Sequence, residues 1–299
     1  MNYHLSVLLE ESFKGLQIKA GDVFFDGTVG DGGMELKICQ EYGKEVLLIG
    51  TDLDREALLR AKTRIEHAGC KPQFEHANFR DIDVVLQKLG IKKINCAFFD
   101  LGMSSFEIDA SGRGFSFQKR EPLIMTLDDR PTEEALTARE IVNKWDEAHL
   151  VDILRGYGEE RFAKRIARAI VEYRREKAIK ETHELRDIII SAVPFFYRRG
   201  RINPATKTFQ ALRITVNDEI RSLKEALRKT FTMLQAGGRI AVISFHSIED
   251  RTVKNYFKDL ARFRDAVVLT KKPIVPSAEE VEKNPRARSA KLRIIEKRK

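Results

Sequence analysis

The sequence lacks long apolar runs and has few cysteines, and each shortage excludes a class of protein. Its longest apolar stretch, 188–197, is interrupted by a serine and a proline, whereas a membrane-spanning helix needs about 20 apolar residues. The N-terminus has no leading basic cluster and does not resemble a signal peptide. The three cysteines, Cys39, Cys70 and Cys96, form neither a C-x-x-C pair nor a zinc-ligand pattern. We therefore expect a cytoplasmic protein with reduced, buried thiols, no metal-ligand cluster and no membrane segment.

Two catalytic signatures are also missing. The dinucleotide fingerprint G-x-G-x-x-G fails because Glu35 stands where a third glycine or alanine is needed, and this disfavours a nicotinamide oxidoreductase. The G-x-S-x-G elbow of hydrolases is absent, so the Ser, His and Asp residues within 243–251 do not indicate a catalytic triad. We expect Ser247 to cap a helix there, and His246 to be structural or to position a substrate.

Basic charge, in contrast, is abundant. Lys and Arg number 54 against 45 acids, so the formal net charge is +9. A balance of this size favours a polyanionic partner, either nucleic acid or an anionic membrane surface. Much of the basic charge lies in 159–180 and in the tail 284–293. The alternative is an ordinary solvated helix face and a frayed terminus.

Short apolar runs alternate with amphipathic stretches between residues 22 and 100. The predicted strands cover 23–26, 46–51, 73–77 and 95–99, and the predicted helices cover 34–42, 54–67 and 81–89. Asp54 is a suitable N-cap for the second of these helices. Continuous apolar strands separated by helices predict a parallel sheet that is covered on both faces.

This alternation stops after residue 100 and resumes near the C-terminus. Residues 101–131 lack periodicity and predict a long loop, and such loops are usually functional or disordered. Only helices are predicted over 132–193, and one long helix is expected over 209–234. The remaining predicted elements are a strand at 239–244, a helix at 248–260 and late strands at 266–270 and 291–296. We therefore predict one α/β domain interrupted by a helical insert.

A glycine-rich loop between two acids predicts a cofactor site. Asp26 ends the first predicted strand, the loop 27–33 follows, and Asp52 ends the second strand. Glycines let a ligand lie against backbone N–H groups near a helix N-terminus, and one carboxylate can accept hydrogen bonds from two ribose hydroxyls. Because acids suit a cationic ligand better than a pyrophosphate, the arrangement favours S-adenosylmethionine. The alternative is a tight turn with Asp52 as an ordinary acid ahead of a helix.

Two further strings suggest a methyl-acceptor site. Asp100 ends a buried strand, where open α/β sheets bind their ligands, and a carboxylate there could accept the hydrogens of an exocyclic amine as positive charge develops. The string 113–117 places Arg113 beside Phe115 and Phe117, which could stack an extruded base. The alternatives are a turn acid and core phenylalanines.

Taken together, these strings resemble the RsmH family, also called MraW, of bacterial 16S ribosomal RNA cytosine-N4 methyltransferases. The match runs nearly from end to end, and so many strings in order make it specific. The matching segments are His4 with 7–10, 26–33, 100–105, 113–117, 158–160, 204–206, 209–219, 243–251 and 284–289.

The resemblance implies an α/β fold with a Rossmann-like, seven-stranded S-adenosylmethionine-dependent methyltransferase sheet and an inserted all-helical substrate domain. The methyltransferase domain would cover 1–106 and 206–299, the latter with a basic C-terminal tail, and the insert would cover 107–205. The implied donor is S-adenosylmethionine, and the implied acceptor is the N4 of a decoding-centre cytidine in 16S rRNA of the small subunit. The oligomeric state stays open, with a homodimer among the alternatives.

The resemblance also implies the residues of the site. Asp100 is the residue expected to orient the reacting amine. The family's cofactor contacts carry over onto Gly32, Gly33, Met34, Asp52, Phe79, Asp100 and Glu107.

Several positions depart from the family pattern. Met34 and Glu107 replace a histidine and a glutamine, Ile124 and Thr126 replace an acid and a base, and Lys207 replaces an arginine. These changes affect substrate positioning more than cofactor binding, because the loop backbone and the acids remain. They also motivate an alternative function, a catalytically silent, donor-binding factor in ribosome assembly.

Overall fold

A computed structural model of the protein describes residues 6–103, 108, 110–263 and 265–298. The chain forms two compact units: the first joins Met1–Gly102 to Ile220–Lys299, and the second is Met103–Glu219. The second unit continues beyond residue 205, where the sequence analysis ended the insert. The reason is that Phe209 and Leu212 lie in the hydrophobic core of that unit.

The first unit is built on a seven-stranded sheet. Its strands are β1 (Val23–Asp26), β2 (Leu47–Asp52), β3 (Gln73–His76), β4 (Ile94–Asp100), β5 (Leu234–Ser244), β6 (Ala266–Val268) and β7 (Lys291–Lys297). They lie in the order β3-β2-β1-β4-β5-β7-β6. The first five strands pair in parallel, as predicted. The sheet is nevertheless mixed, because β7 runs antiparallel to both β5 and β6.

Helices cover this sheet on both faces. The helices of the first unit are α1 (Leu9–Leu16), α2 (Gly33–Tyr42), α3 (Arg55–His67), α4 (Ile82–Lys88), α11 (Glu219–Met233), α12 (Ser247–Arg262) and α13 (Ala278–Lys283). Successive strand residues point to opposite faces, so Phe24 packs in one core with α2 and α3, while Phe25 packs in another with α4 and α11. As predicted, Asp54 caps α3, and its side chain accepts a hydrogen bond from the Ala57 N–H at 2.9 Å.

The second unit is helical among its described residues. Its helices are α5 (Ala138–Lys144), α6 (Glu147–Gly156), α7 (Ala163–Glu176), α8 (Thr182–Ala192), α9 (Phe195–Arg198) and α10 (Ala205–Val216). Each of the longer helices turns an apolar stripe inward, and Leu154, Ile166 and Ile189 are among the buried side chains of the shared core. An isolated bridge between Pro122 and Glu181 holds the preceding loop segment against this bundle.

The single helix predicted over 209–234 is wrong, because two helices occupy that region. α10 ends at Val216 and α11 begins at Glu219. Asp218 has a φ of 48°, in the left-handed region that a helix cannot continue through. The Asn217 side chain bonds outside the helix, accepting from the Leu127 N–H at 2.7 Å and donating to the Met125 carbonyl at 2.8 Å.

The expectation that all thiols are reduced is also wrong. Cys39 and Cys70 form a disulfide between α2 and the residues that follow α3, with a Cα–Cα distance of 6.1 Å. Cys96 is a buried free thiol, as expected. The spacing in sequence gives no sign of the bond, because it depends on the packing of α2 beside α3.

The C-terminal segment is folded, not frayed. β7 lies between β5 and β6, and Arg293, which is 6% exposed, pairs with Asp250 at 2.6 Å. Arg293 therefore serves the fold and is not available to an RNA phosphate, whereas Arg288 is exposed. None of the described helices has both the length and the apolar character that crossing a membrane would require.

Candidate cofactor site

The glycine loop connects β1 to α2 at the carboxyl end of the sheet. Gly32 is the N-cap of α2 and has a φ of 72°, a conformation that glycine adopts without strain. A Cβ atom added to Gly33 would clash with the Ser6 hydroxyl. The backbone at Gly32 and Gly33 is therefore closely packed, and the N–H groups of the first turn of α2 are the kind of group that binds an anionic ligand atom.

Asp52 holds this loop from the neighbouring strand. Its Oδ2 accepts a hydrogen bond from the Gly30 N–H at 2.8 Å, and its Oδ1 accepts one from the Asp54 N–H at 2.9 Å. Burial raises the pKa of Asp52, and the two backbone hydrogen bonds oppose that rise. A carboxylate oxygen can accept more than one hydrogen bond, so Asp52 retains acceptor capacity for further hydroxyl groups.

Asp26 and Asp100 are joined through Thr28. The Thr28 N–H and hydroxyl both donate to Asp26 Oδ1, at 2.7 and 3.2 Å, and the Asp100 N–H donates to the Thr28 hydroxyl at 2.6 Å. Asp100 is half-buried, yet its Oδ1 is screened from solvent and has no hydrogen-bond partner among the described residues. The ends of β1 and β4 thus bring two acids to the base of the loop.

Glu35 is the residue that the sequence analysis missed. It is fully buried, and neither of its carboxylate oxygens has a donor in the described part of the chain. Burial, and after it the charge of Asp26, raises the pKa of the Glu35 carboxyl, so its protonated form is favoured. A signal was available, because Glu35 shares the buried stripe of α2 with Ile38 and Cys39 at helical spacing.

The three remaining predicted cofactor contacts, Phe79, Met34 and Glu107, differ from one another in their surroundings. Phe79 lies in a short 3-10 helix after β3, with its ring centroid 6.0 Å from that of Phe99, and its Cβ would be 2.9 Å from a Cβ on Gly27. It therefore borders the loop. The Met34 side chain is 2% exposed and belongs to the core, so only its backbone is open to a ligand. Glu107 lies outside the described residues.

Comparison with known proteins decides the family. The sequence model of the MraW methylase family matches residues 1–298. The chain belongs to the MraW methylase family. Its relatives include a protein of Sulfurihydrogenibium sp. (strain YO3AOP1), 46% identical over 97% of this chain and 98% of that one. Another, from Persephonella marina, is 43% identical over 98% of this chain and 99% of its own length. Both are named ribosomal RNA small subunit methyltransferase H.

Solved structures resemble this chain at lower sequence identity. A Streptococcus mutans protein in complex with SAH is 14% identical, with a TM-score of 0.47 over 98% of this chain and 99% of that one. An rRNA methylase from Streptococcus thermophilus is 12% identical, with a TM-score of 0.45, and the match covers 97% of this chain and 94% of that one. The family match, with its full-length relatives, makes this protein a methyltransferase with S-adenosylmethionine as its methyl donor.

The acids of this MraW methylase fit a cationic donor. Burial raises the pKa of Asp26 to about 7, and the charge of Asp100 adds to the rise. Burial also raises the pKa of Glu35 well above its usual range, and the Asp26 charge adds to it. The described residues place no cation in an ion pair with these acids. A ligand with sulfonium and ammonium charges would supply the missing positive charge, so the chemistry of the site suits the donor.

The pKa of Asp100 is also raised. Burial raises its pKa to about 7, a hydrogen bond from the Gly102 backbone opposes the rise, and the charge of Glu249 adds to it. A carboxyl group with this pKa exchanges a proton near neutral pH, as an acceptor for a reacting amine must. Asp26 has a similarly raised pKa but is 1% exposed, whereas Asp100 is half-buried, so Asp100 is the more accessible of the two acids.

The string 113–117 is structural. Phe115 is 8% exposed and lies in the core of the second unit. Phe117 is half-buried, with its ring edge against Phe209 at a centroid distance of 5.3 Å. The Arg113 guanidinium donates to the carbonyls of Thr126 and Leu127 at 2.8 and 2.7 Å. The alternative of core phenylalanines holds for Phe115, and Phe117 packs against the same core.

His246 also has a structural role. It is the N-cap of α12, where its side chain accepts from the Glu249 N–H while the Glu249 side chain accepts from the His246 N–H in return. The expectation that Ser247 caps the helix is wrong by one residue. Since His246 and Glu249 satisfy each other, this segment is a reciprocal cap of the kind that fixes a helix start.

Three further departures from the family pattern can be located. Thr126 is buried and its hydroxyl has no partner among the described residues, while Ile124 is half-buried. Lys207 donates from its ammonium to the Glu159 carbonyl at 2.9 Å. Lysine keeps the positive charge of the family's arginine but lacks its two-pronged fork.

Proposed function

We propose that this protein methylates the exocyclic N4 of a decoding-centre cytidine in 16S rRNA, with S-adenosylmethionine as donor. The observation that carries the proposal is the buried, unpartnered Oδ1 of Asp100 beside the glycine loop. The relatives' name, small subunit methyltransferase H, supports a substrate in the small ribosomal subunit. The choice of cytosine N4 rests on the resemblance in sequence strings.

The same proposal assigns the donor's contacts. The backbone at Gly32, Gly33 and Met34 would hold the methionyl part, because these residues begin α2 directly after the glycine loop. Asp52 would bind the ribose through its remaining lone pairs, and Phe79 would lie beside the adenine. Glu107 stays a contact expected from the sequence alone.

The chemistry assigned to the chain is positioning and proton acceptance. When bound, the donor supplies a methyl group on a sulfonium, and the carbon–sulfur bond breaks as the N4–carbon bond forms. Asp100 would orient the amine through a hydrogen bond and accept the proton that N4 loses. The exclusion of water from its Oδ1 strengthens both interactions, because the local dielectric is low.

The second unit would supply contacts to the RNA backbone. The exposed basic residues of α7 and its flanks are Arg161, Lys164, Arg165, Arg168, Arg175, Lys177 and Lys180. Such a face gains affinity for RNA by releasing counterions from phosphates. We assign the methyltransferase role to the first unit and substrate recognition to the second. We expect the reaction to take place in the cytoplasm without a membrane partner.

The competing proposal is a donor-binding assembly factor without catalytic activity. The departures at 124 and 126 favour it, since Thr126 leaves a buried hydroxyl without a partner where the family has a charged residue. The two proposals differ only in turnover.

Methylation of purified small subunits in vitro tests the proposal. Subunits from cells that lack this chain are incubated with donor, the 16S rRNA is digested, and the modified nucleoside is identified by mass spectrometry. N4-methylcytidine at one decoding-centre position is expected. Tight donor binding without any transferred methyl group would support the silent factor, and methylation of a different base would overturn the assigned target.

A further inference from the structure

The short helix α9 exposes two neighbouring aromatic rings. Phe195 is 63% exposed and Phe196 is 61% exposed, although both belong to a residue type that proteins usually bury. Ile202, shortly after the helix, is 60% exposed. Contiguous exposed apolar side chains of this kind mark interaction sites more often than isolated ones do.

The backbone beneath these rings is firmly held. Arg198 donates from Nε to the Val193 carbonyl and from Nη2 to the Ser191 carbonyl, both at 3.1 Å. Tyr197 turns the other way, donating from its hydroxyl to Glu160 at 2.9 Å and packing edge-on against Phe162 at a centroid distance of 4.9 Å. Tyr197 thus anchors α9 while Phe195 and Phe196 face solvent in fixed positions.

Arginines accompany both exposed rings. The Arg199 guanidinium carbon lies 4.4 Å from the Phe195 ring centroid, and that of Arg161 lies 6.0 Å from the Phe196 centroid. The exposed Arg198 and Arg201 belong to the same segment. This surface therefore combines flat π faces with positive charge, the combination that binds single-stranded nucleic acid by stacking bases and contacting phosphates.

We propose that Phe195, Phe196, Arg161 and Arg199, here called the α9 platform, stack unpaired bases of the substrate RNA. The inference rests on the proposed rRNA substrate and adds a binding site outside the candidate cofactor site. Two exposed aromatic rings are neighbours in α9, whereas Phe115 and Phe117, the rings that the sequence suggested could stack a base, pack in and against the core of the second unit. A protein partner would also bury apolar rings, but the surrounding arginines favour a polyanion.

The test is RNA binding by the double variant Phe195→Ala/Phe196→Ala. We measure the Kd for purified small subunits and for deproteinised 16S rRNA at one fixed salt concentration. Because each stacked base contributes about 1–3 kcal/mol, the Kd should rise at least about tenfold. Donor affinity and thermal stability should be unchanged, since both rings are exposed.

Matched variants separate stacking from other causes. Phe263, 72% exposed in the first unit, is the control, and Phe263→Ala should leave the Kd unchanged. The variant Phe195→Tyr/Phe196→Tyr should retain wild-type affinity because it keeps the π faces. The variant Phe195→Leu/Phe196→Leu should bind RNA as weakly as the alanine variant. Wild-type RNA affinity in that variant would indicate an apolar docking surface for a protein and overturn the proposal.

This readout is independent of catalysis. Loss of RNA affinity in the double variant supports the platform even if no methyl group is transferred. An unchanged Kd, or a wild-type protein that binds neither form of RNA, overturns it. Failure of the proposed methylation with the platform intact would instead appear as normal RNA binding without a modified nucleoside.

Discussion

The two units of the protein handle charge in opposite ways. The first unit buries the acids Asp26 and Glu35 and screens one oxygen of Asp100 from solvent at the base of the glycine loop. The second unit keeps many of its basic residues in water, along the exposed face of α7 and around α9. Buried carboxyl groups are unfavourable without a counter-charge, whereas exposed cations are well solvated.

This difference matches the two molecules that a methyltransferase acting on RNA must bind. A small cation is held best by acids in a medium of low dielectric, where each interaction is strong. A long polyanion is held best by many solvated cations, each of which displaces a counterion. The comparison therefore predicts that changes in the first unit alter turnover, donor binding and pH dependence, and that changes in the second unit alter the response to salt.

The largest effect is expected from Asp100→Ala. Removing the acceptor for the amine hydrogens should lower kcat by about 10²- to 10³-fold, while the donor Kd changes by only a few fold. Because the pKa of Asp100 is raised to about 7 and the carboxylate is the accepting form, wild-type kcat should rise with pH through that value. Steady-state kinetics with small subunits, together with calorimetry for the donor, measure both quantities.

Asp52→Ala is the counterpart to Asp100→Ala within the same unit. Its carboxylate holds the Gly30 N–H at 2.8 Å, so its loss should weaken donor binding and affect kcat much less at saturating donor. If Asp100→Ala keeps wild-type turnover, Asp100 has no part in the reaction, whatever the behaviour of Asp52→Ala.

The next effect concerns stability and should be confined to the first unit. Cysteine is absent from Met103–Glu219, and the Cys39–Cys70 bond closes a loop with a sequence separation of 31. Reduction should lower the free energy of unfolding by about 3–4 kcal/mol, from the loop entropy gained by the unfolded chain. Hydrogen exchange in reducing buffer should accelerate in α2 and α3 and stay constant in α6 and α7.

Serine variants provide the control for reduction. Cys39→Ser and Cys70→Ser should each reproduce the effect of the reductant and then show no further response to it. Because Cys96 is a free buried thiol, neither the reductant nor the serine substitutions should alter it. Equal loosening of both units would mean that the bond stabilises the protein by some route other than the local packing of α2 and α3.

Local patterns in the sequence predicted much of this structure. The strands β1 to β4, the glycine loop and the Asp54 cap follow from apolar runs and capping chemistry that span only a few residues. The positions of Asp52 and Asp100 follow as well, because parallel strands end at one edge of the sheet. These features do not depend on distant parts of the chain.

Most of the errors, in contrast, depend on distant contacts, although the shift of the α12 cap from Ser247 to His246 is local. The break after α10 is accompanied by bonds from Asn217 to the 125–127 segment, and the antiparallel direction of β7, which no local pattern predicted, follows from its pairing with β5. The disulfide and the buried Glu35 depend on how α2 packs. The sequence pattern around Phe115 resembles a base-stacking site, and only the fold distinguishes a buried ring from the exposed rings of α9.

A smaller effect is expected on the pH dependence of stability, where the buried Glu35 should behave differently from an exposed acid. Folding raises the pKa of Asp26, Glu35 and Asp100. At a pH between the ordinary pKa values of these acids and their raised values, the folded protein therefore binds more protons than the unfolded chain. Stability is therefore highest at low pH within this window and falls as the pH rises through about 7. Glu35→Gln should flatten the fall by up to about 1.4 kcal/mol per pH unit for one proton.

Chemical denaturation across this pH range measures the effect of Glu35→Gln. Glu56 is an exposed acid on α3, and Glu56→Gln should leave the profile unchanged. A wild-type profile that rises with pH would contradict the raised pKa values of Asp26 and Glu35.

The smallest expected effect is a change in the salt dependence of RNA binding. Lys164→Gln/Arg165→Gln removes two exposed charges from α7, and each lost phosphate contact should lower the slope of log K against log salt by about one. Lys254 and Lys258 are exposed on α12 of the first unit, and their glutamine variants should leave the slope unchanged. Equal slopes for both pairs would mean that the RNA-binding charge is shared between the units. The contrast between a donor-binding unit and an RNA-binding unit would then fail for the surface while remaining valid for the buried acids.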